Sequence, residues 1–399
     1  MDAIHDLLAG LLDDVRGDDA GELASYIPEL ARADPDRLAL AVVGPRGRLA
    51  AIGDADAAFT IQSISKPFVF ALALDALGRD AVLRHVGVEP SGEPFNAISL
   101  EAGTGRPANP LINAGAIATT ALIPGEGLAE RSAAIVAGMS RFAGRALAVD
   151  EAVYLSESET GDRNRALAHL LRSHEVLAAP VDDAVEAYFR QCAALVTVAD
   201  LAVMAATLAF GGRNPVTGEQ VVSERSARDT VALMISCGMY DASGAWLMEV
   251  GLPAKSGVSG GLLALSPSQV GIGVFSPRLD SYGNSTRGQL VLQRLSDALG
   301  MHVLDQHSAI SRPGVAVTRG GDGGVVVGIE GEVSFAGAER VLAALNRVEL
   351  PAGTPVVIEV EDAAQLHPAA VGLLRAQVEA RGGEVRFRGG DDPTGAETT

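Results

Sequence analysis

Residues 59–67 read Phe59-Thr-Ile-Gln-Ser63-Ile-Ser65-Lys66-Pro67, and the apolar run from Ser65 to Leu77 that follows is closed by Gly78. The run predicts a helix. At its start, Ser63 and Lys66 stand three apart, on one face, with the serine near the positive end of the helix dipole. A serine becomes a nucleophile when a base lies within hydrogen-bond reach, and a desolvated lysine can be that base. Two fixed positions in four recur by chance, so the pattern takes its weight from its surroundings. Of the 31 basic residues only two are lysines, Lys66 and Lys255, so arginine serves wherever a generic surface cation is wanted. What lysine offers and arginine does not is an amine whose pKa falls on burial.

Working outward, the second lysine opens Lys255-Ser256-Gly257-Val258-Ser259-Gly260-Gly261, just ahead of a predicted strand. S-x-x-K followed later by a K-[ST]-G element is the paired signature of penicillin-recognising enzymes, where the second element lines the opposite wall of the site. Small residues let the backbone approach a substrate, and its N–H groups can form half of an oxyanion hole. Both motifs occur in the right order and together hold every lysine in the chain.

The elements around them set the fold class. Ala39–Val43 and Leu49–Ile52 read as strands about the turn Gly44-Pro-Arg-Gly47. From about Asn113 to Met248 the period is mainly helical, and after Lys255 two strands, Gly261–Ser266 and Val270–Phe275, precede a helix, Arg287–Leu299, closed by Gly300. Hairpin, helices, strands, helix predicts an α/β (α+β) domain over residues 1–307, its sheet assembled from both ends with a helical block inserted between. A linker over 308–318 then leads to a small βαβαβ module over 319–390: strand Val325–Ile329, helix Ala338–Asn346, strand Pro355–Val360, helix Ala369–Arg381 and strand Glu384–Arg388. The tail, 391–399, reads as disordered.

Composition narrows the function. Fifty acidic residues against 31 basic ones give a net charge of -19, so a chain-wide footprint for phosphate backbones is missing and no nucleic-acid partner is expected. No apolar run reaches about 18 residues, and the N-terminus MDAIHDLLAGLLDD lacks the positive region of a signal peptide, so a cytoplasmic protein without a membrane partner is expected. Cys192 and Cys237 read as buried free thiols. His169 and His174, five apart in a helical stretch, do not share a face, and no metal site is expected. The scattered arginines read as solvated.

Six phrases in series carry a resemblance: Phe59 to Lys66, Pro107-Ala-Asn-Pro-Leu-Ile-Asn113-Ala-Gly-Ala-Ile117, Tyr154-Leu-Ser-Glu157 through Asn164, Tyr188-Phe-Arg-Gln-Cys192, Cys237-Gly-Met-Tyr240 and Lys255-Ser-Gly-Val258. Together, over about residues 20 to 305, the sequence resembles the serine-dependent glutaminases. That resemblance implies a β-lactamase-like (penicillin-binding-protein-like) fold and hydrolysis of L-glutamine by water to L-glutamate and ammonia, with no cofactor. It implies Ser63 as nucleophile, Lys66 as base and Tyr240 as an aid to proton transfer. Tyr26, Ser63, Asn113, Glu157, Asn164, Tyr188, Tyr240 and Val258 would hold substrate, with Lys255 in support. Lys66, Tyr240 and Lys255 all remain candidates for the first proton transfer. The chemistry agrees: a carboxylate such as Glu157 suits the substrate's ammonium, while Asn and Tyr donors suit its carboxylate. Taken singly, Asn113 could tie down a turn, Glu159 rivals Glu157, and Tyr188 and Tyr240 could be core aromatics.

The C-terminal module resembles a STAS domain, through Val325 to Phe335 and Thr354 to Asp362. Where signalling members carry a phosphorylated hydroxyl, this chain has His367-Pro-Ala-Ala370, so a docking or oligomerisation module is expected ahead of a nucleotide-sensing one, with a protein partner as one outcome; the glutaminase resemblance separately implies a homo-oligomer, a dimer or tetramer. Two further readings share the motifs: a β-lactamase or DD-peptidase-like hydrolase, and an amino-acid sensor without turnover.

Overall fold

The computed structural model describes residues 3–92, 97, 100–304, 314–319, 324–330, 344, 354–360, 375, 378, 379 and 385–388, and divides into two compact units, Met1–Leu304 and Asp305–Thr399. The larger unit is built on a five-stranded antiparallel sheet of order β2-β1-β7-β6-β5, from β1 (Ala39–Val43), β2 (Leu49–Gly53), β5 (Ala254–Ser256), β6 (Gly261–Ser266) and β7 (Val270–Phe275). Strand β1 pairs with β7, Ala39 opposite Phe275, so the sheet does join the two ends of the unit. A two-stranded ribbon, β3 (Phe59–Thr60) with β4 (Leu195–Val196), stands apart from it.

Helices cover both faces, in the chain order α1 (Ala3–Val15), α2 (Pro28–Ala31), α3 (Ser65–Leu77), α4 (Arg79–Val82), α5 (Asn113–Leu122), α6 (Gly127–Ala143), α7 (Glu151–Thr160), α8 (Asp162–Ser173), α9 (Val181–Cys192), α10 (Val198–Ala209), α11 (Glu224–Cys237), α12 (Ser243–Glu249) and α13 (Thr286–Leu299). Leu8 and Leu12 of α1 and Leu292 and Leu295 of α13 pack with Leu40, Leu262 and Val274 on one face. On the other, Leu201 and Ala205 of α10 join Ala39, Ala41, Leu263 and Phe275 in a core that extends into α3 and α6. Helix α10 lies unusually near the sheet because β7 alternates glycine there. A Cβ on Gly271 would stand 2.1 Å from Ala206 N, and one on Gly273 would stand 2.4 Å from Val198 O. Thr197 and Asp200 start that helix with a reciprocal capping box.

In the second unit, β8 (Gly314–Arg319), β9 (Val325–Glu330), β10 (Val356–Val360) and β11 (Val385–Arg388) form a sheet of order β11-β10-β9-β8. β9, β10 and β11 run parallel, whereas β8 is antiparallel to β9. Parallel neighbours require crossover connections; the helices expected over 338–346 and 369–381 lie largely outside the described residues, as does the tail. Strand β8 occupies residues 314–318 of the expected linker together with Arg319, and it pairs antiparallel with β9.

Three other differences stand out. Helix α1 was not foreseen; its apolar face is held by the sheet and α13. Ser63 sits in a 3₁₀ turn, Gln62–Ile64, immediately before α3 rather than in its first turn, while Lys255 lies ahead of β6 as expected, itself part of the short strand β5. Not every arginine is solvated: Arg287 is buried, bonded to Ser276 Oγ and to the carbonyls of Pro35 and Arg37, and buried Arg131 holds the carbonyls of Ile123 and Gly125. Each guanidinium satisfies loop carbonyls that would otherwise be orphaned. Both cysteines are free and buried. Among the described residues no single helix is long and apolar enough to cross a membrane.

Candidate active site

Ser63 is presented by a strained turn. Gln62 before it has φ 50°, and Tyr240 has φ 55°; of the four non-glycine residues with positive φ among the described residues, these two meet at one site. A buried hydrogen-bond chain pins the turn from behind: Ser65 Oγ donates to Gln62 O at 2.7 Å, Gln191 Nε2 donates to Ser65 Oγ at 3.0 Å, and Thr120 Oγ1 donates to Gln191 Oε1 at 2.8 Å. Helices α3, α5 and α9 are thereby tied to the backbone that carries the serine.

Lys66 is 1% exposed, and its Nζ donates to Asn113 Oδ1 at 2.8 Å and to Leu111 O at 3.2 Å. Burial lowers its pKa to about 8, against an opposing pull from Cys192 and Glu157. Asn113 heads α5, where a close approach fixes it: a Cβ on Gly115 would lie 1.9 Å from Asn109 O, and Asn109 Oδ1 in turn accepts from the amides of Leu111 and Ile112. Asn113 Nδ2 donates to Asn164 Oδ1 at 3.0 Å, and Tyr188 Oη reaches Asn113 Oδ1 at 3.4 Å.

On the opposite wall, Lys255 is fully buried, its Nζ donating to Ser256 O at 2.9 Å and lying 3.8 Å from the centre of the Tyr240 ring. Burial, reinforced by the charge of Lys66, drives its pKa well below the usual lysine range. Burial also pushes the Tyr240 phenol up to about 12, while hydrogen bonding with Ser63 and Ser256 pulls the other way. Ser256 Oγ is held by Asn284 Oδ1 at 2.5 Å.

The cavity beside Ser63 measures about 290 Å³, and seven of the expected substrate residues line it: Tyr26, Ser63, Asn113, Glu157, Asn164, Tyr188 and Val258. Tyr240, the eighth, approaches Ser63 from outside that lining. Glu157 is buried and Glu159 exposed, so the two rivals separate by face. Burial raises the Glu157 pKa, countered by hydrogen bonds with Tyr26 and Gln62. The Tyr26 ring is 47% exposed, yet its hydroxyl turns inward, donating to Glu157 Oε1 at 3.0 Å and reaching Gln62 Oε1 at 3.3 Å. Burial of that hydroxyl and the charge of Glu157 keep the Tyr26 phenol well above its usual range, and burial does the same for Tyr188.

Sequence reasoning did not single out Gln62, Thr160, Gly161, Arg163 or Cys192, which also line the cavity, nor Ser256 behind it. All of them lay inside the quoted phrases, but only the fold shows which way they face. Cys192 contributes a neutral thiol, since burial pushes it up to about 12. The arrangement can activate a hydroxyl, hold an ammonium at Glu157 and offer amide and phenol donors a few ångströms away.

The family model described as glutaminase matches residues 21–304. A glutaminase of Clavibacter michiganensis subsp. michiganensis is 54% identical over 307 residues, 75% of this chain and 94% of that protein. A glutaminase of Corynebacterium glutamicum is 44% identical over 374 residues, 93% of this chain and 90% of that one. A crystal structure of Mglu in its glutamate form is similar over 98% of this chain and 99% of its own, with TM-score 0.88 and 42% identity.

Proposed function

Since this chain belongs to the glutaminase family and is an amidohydrolase converting L-glutamine to L-glutamate and ammonia, we propose that Ser63 is its nucleophile and Lys66 the base that activates it. One observation carries the reading: a buried lysine amine with its pKa lowered to about 8, three residues from a serine at the edge of a cavity of about 290 Å³. In the neutral form that amine can take a hydroxyl proton near neutral pH, which an exposed lysine cannot do efficiently.

The substrate's ammonium goes to Glu157, where Tyr26 steadies the carboxylate, and its α-carboxylate meets the donors of Asn113, Asn164 and Tyr188. Ser63 Oγ attacks the side-chain amide carbon as its proton passes to Lys66. The oxyanion is held by the backbone amides of Ser63 and Val258. Collapse breaks the C–N bond, and the leaving nitrogen takes a proton through Tyr240, whose high pKa keeps it a donor. The amine leaves as ammonia, water attacks the glutamyl ester, and Ser63 recovers its proton. Lys255 supports the site and does not take the first proton. The glutamate form of the similar Mglu structure supports the substrate class.

The parallel β9, β10 and β11 support reading the C-terminal unit as a STAS-like docking or oligomerisation module; sedimentation of the full chain beside one ending near Ile310 tests it, and unchanged assembly would remove it. A homo-oligomer placed in the cytoplasm completes the proposal. The test of the chemistry is glutamate release by the protein and its Ser63→Ala variant: a fall of about 10⁴-fold or more in kcat is expected, and a variant that keeps its rate sinks the assignment.

A further inference from the structure

The segments that shape the active-site cavity also shape a neighbour. A second cavity, of about 310 Å³, is lined by Glu29, Thr60, Asp150 and Ser259 among others. Three of these lie within three residues of a lining residue of the active site, Glu29 from Tyr26, Thr60 from Gln62 and Ser259 from Val258, and Asp150 caps the N-terminus of α7, the helix that carries Glu157. Whatever fills the second cavity touches four segments that form the first.

Two buried atoms in that cavity have no hydrogen-bond partner, Glu29 Oε2 and Ser259 Oγ, and Ser259 as a whole is 6% exposed. Leaving such groups unpaired costs free energy, most of all for a carboxylate. The other two carboxylates of the lining are partly engaged: Asp34 Oδ1 accepts from Asp36 N and Asp150 Oδ1 from Ala152 N, both at 3.0 Å. Arg32 and Arg37 reach the lining from exposed positions, so three carboxylates face two guanidinium groups. The excess is negative, and both orphaned atoms accept hydrogen bonds. A compact cation with several N–H donors satisfies all of this; an anion or an apolar guest does not.

We propose that this cavity binds a small ammonium cation bearing several N–H donors, NH4+ or a primary alkylammonium, through Glu29 and Ser259, and that its binding strengthens the hold on glutamine next door. The coupling rests on the reading of Glu157 as the ligand of the substrate's ammonium. Glu29 bears on Glu157 as a like charge that disfavours its ionised form; a cation beside Glu29 offsets that repulsion and leaves Glu157 the better acceptor. Ammonium released by the reaction and an organic amine from the medium share this chemistry.

The full chain is tested with ammonium, methylammonium or tetramethylammonium chloride at matched ionic strength, following both thermal midpoint and glutamine kinetics by glutamate detection. Methylammonium is expected to raise the midpoint by about 2 °C over tetramethylammonium, which has no N–H donor. It is also expected to lower the KM for glutamine about two- to fivefold, the range of a partly screened charge pair. Both responses should vanish in Glu29→Gln and in Ser259→Ala. A matching response to ammonium assigns the site to the reaction product, and a response to methylammonium alone assigns it to organic amines. No difference from tetramethylammonium, or a response that survives in both variants, means a water-filled cavity only and overturns the site. A midpoint shift without a KM change overturns the coupling alone. The reading of Glu157 is judged separately, by whether Glu157→Gln raises KM.

Discussion

The surroundings of Lys66 and of Lys255 resolve one problem in two ways. Both place an ammonium-bearing side chain out of water, which is costly unless the charge is paired or given up. Around Lys66 the fold provides two acceptors, Asn113 Oδ1 and Leu111 O, and the nearby Glu157 charge, so the amine stays within reach of both protonation states, with a pKa of about 8. Around Lys255 it provides one carbonyl and the face of Tyr240; that face favours a cation, but burial and the charge of Lys66 outweigh it. One lysine can cycle a proton. The other is driven by burial toward its neutral form and lies on the opposite wall, against the Tyr240 ring. Proximity to the reaction is shared, and what separates their roles is the supply of acceptors.

The comparison breaks most visibly in turnover. Lys66→Met is expected to lower kcat by about 10³- to 10⁴-fold, and Lys255→Met by about ten- to a hundredfold, since only the first removes a general base; equal losses by steady-state glutamate release would erase the distinction. Tyr240→Phe removes the phenol that faces Ser63 while keeping the ring over Lys255, so a drop of about 10²-fold in kcat with little change in KM is expected. A finer test is the pH profile. kcat/KM should rise with pH through a midpoint near 8 as Lys66 loses its proton, and that midpoint should move little in Lys255→Met, since burial and the charge of Lys66 drive Lys255 toward its neutral form. A midpoint that moves up in the variant means Lys255 was charged. The smallest effect is on stability. The folded state lowers the pKa of Lys66 from 10.5 to about 8, so the unfolded chain binds more protons between those values. The penalty of burying it is therefore fully present below about pH 8, and about 3 kcal/mol of it is relieved as pH rises toward 10.5. The stability gained by Lys66→Met should accordingly shrink between pH 7 and pH 9.5 in urea melts.

How legible these two regions were differs as well. Strands β6 and β7 and helix α3 follow from local patterns, and their bounds in the structure match the expected ones. Ser63, Lys66, Asn113, Glu157, Asn164 and Tyr188 were nameable because their phrases are contiguous. What stayed hidden depends on contacts across the chain: the Gln191–Ser65 bond spans helices far apart in sequence, Gln62 takes a positive φ and lines the cavity, and α1 forms against a face that exists only once the sheet is assembled. Strand β8 is the same case, a segment with turn-like neighbours made regular by its partner. Glu29 and Ser259 had no signal at all, since an orphaned atom is a property of the folded interior.

The pairing of β1 with β7 has a consequence for how the molecule comes into being. During synthesis the β1–β2 hairpin emerges early, while the strand that covers its open edge arrives only after the whole helical block. Closing so long a loop costs chain entropy before any native pairing repays it, so folding of the large unit is a late, all-at-once event with a slow rate. Until β7 arrives, an apolar strand edge stands open to the wrong partner. The yield of refolded enzyme is therefore set by protein concentration during that interval: dilute refolding, and synthesis that shortens the wait for β7, favour the active protein.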